Sequence, residues 1–164
     1  MEKNEVLRLS NELTYRQYLM NRGRIKDLFK IISIPEYIAL QAIVEESNGS
    51  SIYLGRTYLK DLAEKLQISI RQTSNMMGHL EDRGLVEWSH DGNGSDGTYV
   101  VVTETGKKYV EEQQSIMKEY YGKVIQKYGK ENLLKLLQMM KQLETVMSEE
   151  MEAVQEYGKV DEHD

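Results

Sequence analysis

The stretch Leu59-Lys-Asp-Leu-Ala-Glu-Lys-Leu66-Gln-Ile-Ser69-Ile-Arg-Gln-Thr-Ser-Asn-Met-Met-Gly-His-Leu80-Glu-Asp-Arg-Gly84-Leu-Val86 decides the fold. Its opening residues place Tyr58, Leu59, Leu62, Ala63 and Leu66 on one side of a short helix. Thr57 stands where a side-chain cap for that helix would be. After Gln67 and Ile68, Ser69 and Gln72 have the spacing of a capping box. The helix they open turns Ile70, Thr73, Met77 and Leu80 inward and meets a stop at Gly84. A short helix, a tight connection and a second helix over residues 70–83 predict a helix-turn-helix.

Working outward, Leu85-Val-Glu-Trp88, a Gly/Asp/Ser/Asn tip over Ser89 to Gly97 and the β-branched run Thr98 to Thr103 predict a hairpin with a mobile tip. Upstream, Ser33-Ile-Pro-Glu36 is another capping box with Pro in the first turn, opening a helix through about Glu46. Ser47-Asn-Gly-Ser-Ser51 ends it, and a short apolar stretch, Ser51 to Leu54, follows. Residues 3–30 carry helical periodicity throughout, with Gly23 as a point of bending. Glu104 to Tyr128 and Lys130 to about Tyr157 predict two further helices, each roughly 37–42 Å long.

The fold expected is mainly α with a small β-hairpin wing: a winged helix-turn-helix over residues 34–108, flanked by long dimerisation helices in 1–33 and 109–164. In the last helix Leu133, Leu136, Leu137, Met140, Leu143, Met147, Met151 and Val154 form a stripe that Leu134, Met139 and Val146 widen. A domain this small cannot cover that surface, which calls for a second subunit and, by default, a C2 homodimer.

The 164 residues include no Cys, which excludes a disulfide framework, a thiolate metal site and a cysteine redox sensor. No long apolar run marks a signal peptide or membrane span, so a cytoplasmic address and no membrane partner are expected. The net charge of −6 does not exclude nucleic acid, because the excess acid sits in the C-terminal third.

Leu59-Lys-Asp-Leu-Ala-Glu-Lys-Leu66, Ile68-Ser69, Leu80-Glu-Asp-Arg-Gly-Leu-Val86 and Val102-Thr-Glu-Thr-Gly106 resemble successive blocks of the MarR family over about residues 5–155. The resemblance implies a dimeric transcription regulator, usually a repressor, that binds pseudo-palindromic double-stranded DNA and often releases it when a small effector binds. No cofactor is expected. The wing departs from the pattern: no Lys or Arg lies between Glu87 and Gly106, and Asp96 stands where relatives usually offer Arg. That departure leaves two readings open, a regulator with a weakened wing contact and a winged-helix protein-interaction module that dimerises without binding DNA.

On a helical wheel, Arg71, Gln72, Asn75 and His79 face away from the apolar side, with Ser74 on the flank. Arg, Gln and Asn are the side chains that pair bidentately with guanine or adenine edges. Ser69 and the amides around Arg71 can hold a phosphate. Arg56, Lys60 and Lys65 are candidates for backbone phosphates, and Asn93, Ser95 and Thr98 for hydrogen bonds from the wing. Arg22, Lys26 and Lys30 form a basic line suited equally to phosphate or to a partner's acidic tail. Tyr15, Tyr18, Tyr37 and Tyr53 fit either a ligand cleft or ordinary packing. His79, His90 and His163 lack metal-site spacing, and neither a phosphate-cradling glycine loop nor a nucleophile elbow is present, so the chain is not expected to be an enzyme.

Overall fold

The computed structural model describes residues 3–49 and 56–160. The apolar stretch Ser51–Leu54, Tyr53 of the expected cleft and His163 lie outside the described residues. Two compact units divide the chain, residues 1–116 and residues 117–164.

The first unit is a winged helix-turn-helix. Its order is α1 (Lys3–Asn21), a 3-10 turn (Arg24–Leu28), α2 (Ile34–Ser47), β1 (Thr57–Tyr58), α3 (Leu59–Leu66), α4 (Ile70–Asp82), β2 (Val86–His90), a second 3-10 turn (Gly94–Gly97), β3 (Thr98–Val102) and the start of α5 (Glu104–Tyr128). The three strands form an antiparallel sheet in the order β1-β3-β2, with Val86 opposite Val102, Trp88 opposite Val100 and Thr57 also opposite Val100. Leu40 and Ile43 from α2, Leu62 from α3, Met77 and Leu80 from α4, Leu85, Val86 and Val100 from the hairpin, and Val110 from α5 are buried together as its core. The chain thus has a mainly helical winged fold, as the periodicity predicts.

Capping fixes the helix starts. Ser33 Oγ accepts from Glu36 N at 3.3 Å while Ser33 N donates to the Glu36 carboxylate at 2.8 Å. Ser69 and Gln72 repeat the pattern, at 3.1 Å in both directions. Gly84, at φ 72, closes α4: Leu85 N donates to Leu80 O at 2.9 Å and Gly84 N to Glu81 O at 2.8 Å, the paired bonds of a Schellman motif that a left-handed residue permits. Gly106 lets α5 pass close to the hairpin, since a Cβ there would collide with the Leu85 carbonyl.

Four details differ from the sequence pattern. The helix expected over residues 3–30 stops at Asn21, because Gly23 takes ψ 146 and its N–H turns back to Met20 O at 3.0 Å. Thr57 does not cap α3; it is drawn into β1 opposite Val100, and its buried Oγ1 finds no hydrogen-bond partner among the described residues. Ile70 keeps the phase of Thr73 and Met77 yet is 55% exposed, since a wheel gives direction and not whether a neighbour reaches the first turn. The wing tip is not loose but tied by side chains, as described below.

The second unit comprises the end of α5 and α6 (Lys130–Val160), separated by Gly129 at φ 100. Asn132 Nδ2 donates to Tyr128 O at 2.8 Å across this turn. Among the described residues no helix is long and apolar enough to cross a membrane.

Candidate nucleic-acid interface

The exposed face of α4 is the surface to which helical phase leads. Thr73, Met77 and Leu80 are buried, so Arg71, Gln72, Asn75 and His79 are exposed, with Ser74 and Gly78 half-buried between them. A Cβ at Gly78 would meet nothing within 4 Å, so this face has a gap into which a bulky partner atom can come close. Thr73 Oγ1 donates to Ser69 O at 2.9 Å, which satisfies the buried hydroxyl.

Two of the candidates already have work in the helix start. Ser69 Oγ accepts from Gln72 N and donates to Gln72 Oε1 at 3.2 Å, and the same Oε1 accepts from Ser69 N. Gln72 therefore offers its amide nitrogen rather than a full bidentate pair. The earlier amides, of Ile70 and Arg71, are the orphan donors every helix start leaves.

Interactions at the far end hold α4 in place. Glu81 accepts from Trp88 N at 3.0 Å, joining the helix to β2. Arg83 donates to Ile31 O at 2.7 Å and lies 3.5 Å from the Glu36 carboxylate, joining it to the start of α2. Periodicity had no means of showing either tie.

Lys60 and Lys65 are exposed on α3, and Asn93 and Ser95 are exposed at the wing tip. Thr98 is half-buried opposite His90 in the hairpin. Arg56 directly precedes β1 and α3. Its guanidinium lies over the Tyr99 ring of β3, 4.8 Å from the centroid. A hydrogen bond to Tyr58 holds its pKa above the ordinary arginine value, with the charge of Asp91 adding to the effect.

Tyr58, Tyr99 and Asp91 form a cluster that sequence reading missed, because its members come from three separate segments. The two rings meet edge to face at 5.8 Å, and Tyr58 OH donates to Asp91 Oδ2 at 2.9 Å. Asn93 N donates to Asp91 Oδ1 at 2.9 Å, and Asp91 N donates to Gly97 O at 3.0 Å. Hydrogen bonding from Asn93 and Tyr58 holds the Asp91 carboxyl below the usual aspartate range, and the tie to Asp91 raises the Tyr58 phenol. His90 Nδ1 accepts from Gly92 N at 2.8 Å, so Nε2 is the protonated nitrogen that donates to Gly94 O at 2.6 Å. The glycine-rich tip is thus closed by two side chains.

Of the tyrosines named for a cleft, the three among the described residues are in different surroundings. Tyr37 is buried beside Phe29, with centroids 5.6 Å apart, and burial pushes its phenol above the ordinary range. Tyr15 and Tyr18 are exposed on α1, under the guanidinium groups of Arg16 and Arg22. A separate recess of about 270 Å³ opens between α2 and α5, lined by Gln41, Val44, Glu45, Lys107, Val110 and Gln114 among others. No group of His, Asp or Glu among the described residues could hold a metal ion.

No protein-family model and no curated protein matches the sequence. Solved structures do match. A MarR family protein from Bacillus stearothermophilus is 22% identical, with 90% of this chain and 99% of that chain covered at a TM-score of 0.59. The transcriptional regulator BldR from Sulfolobus solfataricus is 20% identical over 88% of this chain and 99% of that chain, at 0.63. NadR in complex with 4-hydroxyphenylacetate is 22% identical over 81% of this chain and 89% of that one, at 0.59. The element order, the α4 termini and these likenesses converge: this chain has the fold of the MarR family regulators.

Proposed function

We propose that the chain is a MarR-type transcription regulator that binds pseudo-palindromic double-stranded DNA as a homodimer and represses from that site. The observation that carries this reading is α4 itself: a helix fixed at both ends that shows Arg71, Asn75 and His79 to solvent. Arg71 and Asn75 supply base-edge contacts, and Gln72 and Ser74 add single hydrogen bonds. Ser69 and the first amides of α4, with Lys60 and Lys65, take phosphates, and Asn93, Ser95 and Thr98 hydrogen-bond from the wing.

Dimerisation is supported by α1 and α6, neither of which has a buried side chain among the described residues. Residues 1–33 and 109–164 serve as the dimerisation parts around a DNA-binding domain of 34–108. A small effector has room in the recess beside Lys107, and the likeness to a regulator solved with 4-hydroxyphenylacetate favours a small aromatic acid.

Selection of bound sequences from a random duplex pool, repeated at rising salt, tests DNA binding and identifies the site together. Arg71→Ala and Asn75→Ala should each weaken specific binding by about 1–3 kcal/mol without separating the dimer. Unchanged binding in both variants removes α4 as the reader. The acidic wing favours a second reading, an interaction module that dimerises without DNA, which predicts no retention of duplex even at low salt.

A further inference from the structure

Among the described residues from 34 to 108, Ile70 is the only large apolar side chain that is exposed. The other exposed large apolar residues lie on α1, in its link to α2, and on α5 and α6. Ile70 opens α4. The side-chain oxygens of Ser69 and Gln72 beside it are engaged in the capping box. Ile70 and Arg71 are therefore the side chains that the first turn presents outward beyond that network. At four-residue steps from Ile70 come Ser74, half-buried, and Gly78, where a Cβ would meet nothing within 4 Å. The three make one ridge along α4, a branched hydrocarbon at its start followed by two small residues. Arg71 and Asn75 lie on the polar side of that ridge.

We propose that Ile70 contacts the 5-methyl group of a thymine in the major groove, so that α4 reads a thymine by apolar contact beside the bases paired by Arg71 and Asn75. This rests on the DNA-binding reading above and names a base for it. In a helix-turn-helix the N-terminal residues of the second helix are those that meet base edges. The thymine methyl is what the major groove offers to an apolar side chain. Isoleucine makes no hydrogen bond, so a base edge without that methyl gives it little to bury, and the contact discriminates. The small residues at 74 and 78 let the groove lie along the ridge instead of being held off by bulk.

The test takes the duplex that the full-length protein selects from a random pool and prepares it in two forms, with thymine or with uracil at every thymine position, which differ only in the 5-methyl groups. The wild-type protein should bind the uracil form about fourfold more weakly per contacted half-site, the worth of burying one methylene-sized group. Ile70→Ala should weaken binding to the thymine form by at least as much and bind both forms alike, since one side of the contact is already gone. Ile70→Val, which keeps the branch, should retain most of the preference. Arg71→Ala should weaken binding to both forms and keep their ratio. Thermal unfolding of Ile70→Ala should match that of the wild-type protein, because the side chain is exposed, which separates loss of the contact from loss of the fold. If uracil weakens Ile70→Ala as much as the wild-type protein, or if the selected half-sites contain no thymine, the assignment of Ile70 is overturned and the DNA reading stands. If the wild-type protein selects no duplex at all, both fall.

Discussion

The winged part and the long helices of this chain meet water in opposite ways. Around α2, α3, α4 and the sheet, Leu40, Ile43, Met77, Leu80 and Val100 are fully buried, the starts of α2 and α4 are closed by side chains, and the end of α4 by a left-handed glycine. On α1 and α6 no described side chain is buried, with Met20 at 65% and Met139 at 64% exposed. The first region completes itself; the second carries stripes that gain from burial only when something covers them. If, as proposed, two copies pair through those stripes, one part of the chain has intrinsic stability and the other a stability that depends on concentration.

The largest effect that would sharpen this contrast is in the core. Leu80→Ala should cost about 2–5 kcal/mol in chemical denaturation, independent of protein concentration. Gly106→Ala comes next, at about 1–3 kcal/mol, because the new methyl group meets the Leu85 carbonyl and α5 must shift. Leu137→Ala, on the open stripe of α6, should change the stability of the dilute monomer by less than about 0.5 kcal/mol while weakening association in sedimentation. A loss at Leu137 equal to that at Leu80 and insensitive to concentration would break the distinction. Thr57→Val should raise stability by about 1 kcal/mol, since it replaces a hydroxyl that has no partner among the described residues by a methyl group of similar shape.

The smallest effect concerns pH. Asp91 has a lower pKa folded than unfolded, so its ties stabilise the wing above about pH 4, the ordinary aspartate value. That contribution is lost as the pH falls through the folded value. Hydrogen exchange at the Asn93 amide should accelerate in acid relative to other strand-linked amides, and Asp91→Asn should flatten that dependence.

What the sequence made legible was local. Ser33 and Glu36, Ser69 and Gln72, and Gly84 after Leu80 act within a turn or two of their own positions, so spacing reveals them. The outward face of α4 follows from the same periodicity. What stayed hidden depends on partners far along the chain. A strand as short as Thr57–Tyr58 has no pattern of its own and exists because Val100 and Tyr99 lie beside it. The tip reads as loose because the hydroxyl that closes it, Tyr58, is 33 residues from Asp91. Arg56 has the composition of a phosphate contact, but only the fold shows which part of the surface it joins.

The two capping boxes close with the same hydrogen bonds but different chemistry. The box of α2 uses Glu36, a carboxylate that also lies near Arg83; that of α4 uses Gln72, an amide. The closure of α2 therefore carries a carboxylate at the helix start, whereas that of α4 carries none. The closure is also uncharged, so the fractional positive charge of the helix start, about half an elementary charge, remains uncompensated. The helix proposed to read DNA thus starts with backbone amides that no carboxylate of its own cap competes for.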